Sequence, residues 1–347
     1  MARPSGATLR WLAGGAMAAT MMASLSACGS PASPGRTTLI LYNGQHPQTT
    51  DSLVSAFERK TGIAVEVRSN DEDVLADQIV EEGKDSPADL VYTENSPALE
   101  YLQDKGLLAK VPQTTLSHVP SKYNSPASDW VGVSARVSVL VYNTNLLKPS
   151  QLPTSVMSLA DPRWKGLLAI APGETDFQPI ITSIARTYGK AAALSWLKGV
   201  AANAGQHKYP DNETITSEVN SGQVAIGIIN HYYWYRLRAE VGASQMHSAI
   251  AYFAPQNAGY VLDVSGAAVL KSSKHKAAAD EFLAFLVSRQ GQEVLAHSES
   301  FEYPIGSGVV TARALRPFAS LQPTHLTIAE LGDGAEAVAL LHQAQLL

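Results

Sequence analysis

The hydrophobic and polar positions of this chain change period repeatedly along its length. Residues 37–42 (TTLILY) form an unbroken apolar run, as in a buried parallel strand. Leu53, Val54 and Phe57 then fall on one face of a helix that should stop near Gly62. Residues 63–68 alternate with period two, which predicts a second strand. Val74, Leu75, Ile79 and Val80 predict a second helix ending at Gly83, and residues 89–93 (DLVYT) a third short strand. Ser96-Pro97 has the form of an N-cap followed by Pro in the first helical turn, and Gly106 that of a C-terminal stop. The order βαβαβα predicts a parallel sheet covered by helices.

Residues 131–144 (VGVSARVSVLVYNT) are too many for one ordinary strand and suit one that leaves one lobe and enters another. A second α/β set follows: a strand at 167–171, a helix at 177–188, a helix through Trp196 and Leu197 ending near Gly205, and a strand at 224–229. Residues 261–270 (VLDVSGAAVL) form another long extended run. Helices are expected at 277–287, from Gly291 onward, and at 326–346. The length of 347 residues exceeds a typical single core. The expected fold is α/β with two hinged lobes, 37–138 plus 263–313 and 139–262 plus 314–347.

The N-terminus adds a location. Arg3 and Arg10 precede a mostly apolar stretch too short to span a membrane comfortably. It ends in Leu25-Ser26-Ala27-Cys28, which resembles the lipobox of bacterial lipoproteins. That resemblance implies a signal peptide at 1–27 and a lipid-anchored tether at 28–36. The protein would then sit at the extracytoplasmic face of the cell membrane, held through Cys28. Cys28 is the single Cys, so an internal disulfide and a Cys-based zinc site are excluded. The net charge of -5 argues against nucleic acid as a partner and is compatible with a cationic ligand. No G-x-S-x-G, phosphate-binding Gly loop or H-E-x-x-H is present, which argues against an enzyme.

Candidate chemistry lies where the strands end. Asn43-Gly44-Gln45-His46 follows the first strand, Glu94-Asn95 the third, and Asn230-His231-Tyr232-Tyr233 the strand at 224–229. Ligands of open α/β sheets bind at the carboxyl ends of strands, so His46, Glu94, Tyr232 and Tyr233 should face one crevice. Taken singly, such a His is usually a solvated loop residue and such a Glu usually an acid at a helix start. Together they make an imidazole, a carboxylate and two phenols. With no thiolate, soft ions are disfavoured; magnesium and calcium prefer carboxylates and carbonyls. A phenol with a pKa near 10 needs a strongly polarising cation to expel its proton. Ferric ion fits, since two phenolates and a carboxylate balance its charge while His46 stays neutral. The alternative is a receptor of the same fold for a small organic solute such as a polyamine, thiamine or an organic anion.

The motifs carry a resemblance. Residues 42–46 (YNGQH), Tyr92-Thr93-Glu94-Asn95 and residues 230–234 (NHYYW) are similar to segments of the periplasmic ferric-binding proteins, a branch of the hinged solute-binding proteins. Similar segments include Glu81-Glu82-Gly83, Pro87-Ala88-Asp89, Trp164-Lys165, residues 191–199 and residues 265–272, so the likeness spans nearly the whole mature chain. It implies a type II periplasmic binding fold, with each lobe a mostly parallel sheet flanked by helices. It implies His46, Glu94, Tyr232 and Tyr233 as the iron ligands, and the permease and ATPase of an ABC importer as partners of a monomer. It also implies a small synergistic anion beside the iron. Asn95, Asn212 and Asn230 match positions that support the site, and Arg136 matches one that holds a carbonate-type anion. The chain departs from the family at Glu174-Thr175-Asp176, where phosphate-using members have small or hydroxyl residues. A carboxylate about 5 Å from a bound anion costs roughly 3 kcal/mol at an effective dielectric near 20. Carbonate is thus favoured over phosphate, with direct contact of Glu174 or Asp176 to iron as the other outcome.

Overall fold

The structure is a computed structural model and describes residues 37–306 and 308–347. The leader 1–27, the tether 28–36 and the lipidation position Cys28 lie outside the described residues. The first part of the chain alternates as its pattern predicts. Strand β1 (Thr38–Gly44) leads to α1 (Pro47–Thr61), β2 (Ala64–Ser69) to α2 (Glu72–Glu82), and β3 (Leu90–Thr93) to α3 (Ser96–Asp104). The N-cap of α3 is Asn95, one residue before the Ser96 expected. A short α4 (Gln113–Leu116) precedes β4 (Val131–Asn143).

The second part holds β5 (Leu168–Ala169), α5 (Gln178–Tyr188), α6 (Lys190–Ala204), α7 (Asn212–Ser221), β6 (Ile226–Asn230), α8 (His231–Val241) and β7 (Ser248–Ala251). The chain returns through β8 (Leu262–Val269), α9 (Lys276–Val287), α10 (Arg289–His297) and β9 (Tyr303–Pro304). It finishes with α11 (Ile328–Leu331) and α12 (Ala335–Gln343). The single helix expected at 326–346 is thus two. Gly332 and Gly334 take φ of 67° and 78°, a left-handed backbone that glycine adopts without strain and that ends a helix.

The strands lie in the order β2-β1-β3-β8-β4-β6-β5, with β7 and β9 also on β4. Only β1–β2, β1–β3 and β5–β6 pair in parallel; the pairings of β8 with β3 and of β4 with β6, β7, β8 and β9 are antiparallel. The sheets are therefore mixed, where mostly parallel ones were expected. Every antiparallel pairing involves β4 or β8, and a strand buried along nearly its whole length carries no sequence mark of its direction.

Strand β4 explains the long apolar run. Its residues 131–137 pair with β8, and 138–142 pair with β6. All thirteen residues are buried, so the sequence shows no alternation to read. Core packing on either side is aromatic. Phe57 meets Phe282 edge-on with ring centroids 4.9 Å apart, and Phe177 lies against Trp196 at 5.8 Å. Burial of each such ring contributes about 1.5–3 kcal/mol.

What this arrangement positions is a ring of helix starts. The starts of α1, α2, α3, α7 and α8, and the turn at 175–177 just before α5, contribute residues to one cleft or to its immediate wall. Three of these helices begin directly after β1, β3 and β6. Among the described residues no helix is long and apolar enough to cross a membrane.

Candidate metal centre

The cleft has a volume of about 560 Å³ and is lined by His46, Glu72, Glu94, Glu174, Thr175 and Tyr233 among others. His46 is the N-cap of α1, Glu94 precedes the N-cap of α3, and Tyr232 and Tyr233 lie in the first turn of α8. These four meet on one atom, Oε1 of Glu94. Nε2 of His46 lies 3.0 Å from it, the Tyr232 hydroxyl donates to it, and the Tyr233 hydroxyl donates to it at 3.4 Å. His46 Nε2 is also 3.3 Å from the Tyr232 hydroxyl. The phenol rings lie 4.2 Å apart, and the imidazole stands edge-on to both. Among the described residues no group of three or more His, Cys, Asp or Glu is placed to hold a metal ion by itself.

A second tier of polar groups surrounds these four. The Asn95 amide Nδ2 donates to Asp176 Oδ1 at 3.0 Å and to Thr175 Oγ1 at 3.2 Å. The Asn212 amide donates to Asp176 Oδ2 at 3.0 Å, and the Tyr232 hydroxyl oxygen lies 3.3 Å from the same oxygen. The Asn212 backbone N–H donates to Glu174 at 3.3 Å. Arg136 is fully buried: Nη2 pairs with Glu302 at 2.9 Å, and Nη1 lies 3.5 Å from Glu94 Oε1, donating also to the Glu94 carbonyl and to Asn95 Oδ1. Its face covers the Tyr232 ring at 5.3 Å. Asn230 is buried at the end of β6, but among the described residues no hydrogen bond ties its side chain to this network.

Glu72 was not anticipated. It opens α2, is buried, and accepts from the Asn95 N–H at 2.8 Å and from its amide at 3.1 Å. Gly44 lets it sit there, because a Cβ on Gly44 would come within 2.5 Å of the Glu72 Cβ. The strand-end argument applied to β2, which ends at Ser69, would have reached it.

Electrostatics in the cleft are dominated by acids. Burial and then Glu94 push Glu72 up to about 8. Burial, then Asp176, Glu94 and Glu213, push Glu174 up to about 10. Burial and Glu94 move Asp176 up to about 6. Burial opposes the charge on Glu94 too, yet His46 and Arg136 hold its carboxyl well below the usual range. Burial, with Asp176 and Glu94 beside them, raises both tyrosines well above 10. The metal-free cleft therefore keeps protons on phenols and on several acids.

The family of bacterial extracellular solute-binding proteins matches residues 85–324. The chain belongs to that family. It is similar to the Fe(3+)-binding periplasmic protein of Serratia marcescens, 36% identical over 331 residues, which cover 95% of this chain and 96% of the relative. It is equally similar to the major ferric iron-binding protein of Neisseria meningitidis serogroup A, 36% identical over 322 residues, or 92% of this chain and 96% of the relative. The solved structure of iron-bound HitA from Pseudomonas aeruginosa aligns with a TM-score of 0.85 and 41% identity, covering 89% of this chain and 99% of that one. The fold is the α/β, two-lobed solute-binding fold that the sequence led us to expect.

The Glu72 shift gives a testable pH dependence. Its folded pKa of about 8 lies above the ordinary 4.5, so the folded protein keeps a proton that the unfolded chain releases. Metal-free stability should then fall as pH rises through that window. Glu72→Gln should flatten the fall and add on the order of 2 kcal/mol above pH 8, a figure discounted from the shift at 1.36 kcal/mol per unit. Urea unfolding of metal-free protein at pH 5 and pH 8.5 measures it. An equal slope in both proteins would mean that Glu72 is ionised in the folded state.

Proposed function

We propose that this chain captures one ferric ion in the cleft and delivers it to the permease and ATPase of an ABC-type importer. The observation that carries the reading is the convergence of His46, Tyr232 and Tyr233 on a single oxygen of Glu94. In the metal-free cleft deprotonation of the phenols is costly, and it becomes favourable only when a cation replaces the protons. A trivalent ion can expel both phenolic protons and is neutralised by two phenolates and one carboxylate. The helix starts stabilise these anions, each by about 0.3–1 kcal/mol. Relatives named for ferric-iron binding support the same cargo. The role is that of a monomeric binder, with no turnover of substrate.

Arg136 and the acids bear on the anion. Phosphate entering beside Asp176 would face repulsion of roughly 3 kcal/mol per charge at about 5 Å, while Glu174, which keeps its proton, adds little. Carbonate on Arg136 would compete with Glu302, Glu94 and Asn95 for its guanidinium. We therefore infer that iron is held without phosphate.

Tyr232→Phe and Tyr233→Phe should each abolish or shift the visible ferric-phenolate band. Each should weaken iron binding by about 100-fold or more, beyond the 10–100-fold typical of outer-shell partners. Chelator competition followed by absorbance measures both, and affinity should also fall as pH is lowered, because protons compete with the metal. Full colour and unchanged affinity in both variants would remove the tyrosines from the ligand set.

The lobes we assign are 37–138 plus 263–313 and 139–262 plus 314–347, with β4 and the start of β8 as the hinge. His46 and Glu94 then lie across the cleft from the tyrosines, and iron favours closure by bridging them. Solution scattering should show a smaller radius of gyration with iron than without. Equal radii would mean that the lobes do not move.

We assign Cys28 as the acylated anchor and 29–36 as its tether, which places the protein on the outer face of the cell membrane. Two or more acyl chains give stable attachment where one does not. Cys28→Ala should move the protein from the membrane to the soluble fraction on cell fractionation. Retention of the variant on the membrane would refute the anchor.

A further inference from the structure

The helix that carries both phenols is held, away from the cleft, by a pair of ring stacks. His231 opens α8 and is fully buried. Its imidazole stacks on the Tyr303 ring, with centroids 4.7 Å apart and planes at 22°. One turn further along α8, Tyr235 stacks on Phe301 at 5.8 Å and 24°. Residues four apart share a helix face, so His231 and Tyr235 present their rings to the same side. Phe301 and Tyr303, two apart on the approach to β9, meet them in reverse order. Phe301 does so with a φ of 53°, a left-handed backbone that a bulky residue keeps only where its surroundings hold it.

The imidazole also reaches the strand that runs through both sheets. Its Nδ1 accepts from the Val137 N–H at 3.3 Å. Val137 is the last residue of β4 paired with β8, and Ser138 is the first paired with β6, opposite Asn230. Tyr303 itself pairs with Ala135 of β4. His231 therefore touches β4 where that strand passes from one sheet to the other, and it stands one residue before Tyr232, whose ring meets it edge-on at 5.8 Å. We propose that His231 is a positioning residue. It clasps the start of α8 to β4 and β9, and so fixes where the two phenols meet His46 and Glu94. A metal site needs its donors held within about 0.5 Å by side chains that packing locks in place. On the lobes assigned above, Phe301 and Tyr303 belong to one and α8 to the other. The clasp is then the joint through which iron at the helix start acts on the hinge. The proposal rests on the ferric reading of the cleft.

The test uses the mature protein, with iron added as a ferrous salt and oxidised in place. Chelator competition gives the affinity, the ferric electron-paramagnetic-resonance line reports how uniform the site is, and urea unfolding gives the metal-free stability. His231→Leu removes both the stack and the acceptor. It should keep the phenolate colour, bind iron at least about tenfold more weakly and broaden the line, because the phenols no longer hold one position. Tyr303→Leu breaks the same stack from the other side and should do likewise, and it carries the comparison if His231→Leu does not fold. The double variant should be no worse than the weaker single one, since partners in one contact are not additive. His231→Phe restores a ring without the acceptor and should recover part of the affinity and of the line shape. Wild-type affinity and line shape in either leucine variant overturns the proposal while leaving the ferric reading intact. Additive losses in the double variant overturn it too. A fall in metal-free stability with affinity and line shape unchanged would make the stack a support of the fold alone, and overturns it as well. A wild type that stays colourless with iron overturns the ferric reading and this proposal with it.

Discussion

Like charges crowded into a space that water has largely left set the terms for this molecule. Glu72, Glu94 and Asp176 are buried within one cleft and Glu174 lies on its wall. In a low-dielectric site such groups cannot all ionise without compensation. Three features answer the repulsion. Protons remain on the acids whose neighbours raise them, the Arg136 guanidinium faces Glu94, and five helices present their positive ends. Only Glu94, which has both His46 and Arg136 beside it, is held firmly as an anion. It is also the residue on which the phenols converge.

Arg136 ties this chemistry to the scaffold. It stands on β4 at the last residues that pair with β8, just before the strand turns to pair with β6. Its partner Glu302, equally buried, is also held by the Ser134 hydroxyl two positions earlier on the same strand. Removing either partner would strand a buried charge, at a typical cost of 3–5 kcal/mol. The ion pair therefore fixes the floor of the cleft to the strand that both sheets share.

Much of this was legible in the sequence, because the signals were local. Gly62 and Gly83 ended helices where the pattern said, and residues after β1, β3 and β6 reached the cleft because strand ends do so in this class of sheet. The parallel expectation for the sheets failed at β4 and β8, since a run buried on both faces carries no mark of its direction. The apolar pattern over 326–346 does not report the break that the left-handed backbone of Gly332 and Gly334 imposes. Glu72 carries no distinguishing mark in the sequence, because acids are common in the first turn of a helix. The grip of Asn95 and Asn212 on Asp176 joins residues 81 and 36 positions apart, and no spacing rule reports contacts of that kind.

The donor set has a consequence for the oxidation state of what it holds. Every protein donor in the cleft is an oxygen or an imidazole nitrogen, and the described residues contain no cysteine. Anionic oxygen donors hold a trivalent ion far more tightly than the divalent ion of the same metal. By thermodynamic linkage, that difference lowers the reduction potential of bound iron relative to iron in solution. Reductants able to convert the free ion would then leave the bound one oxidised. An electron that did arrive would loosen the phenolates and readmit their protons, so reduction and proton uptake would act together to let the metal go.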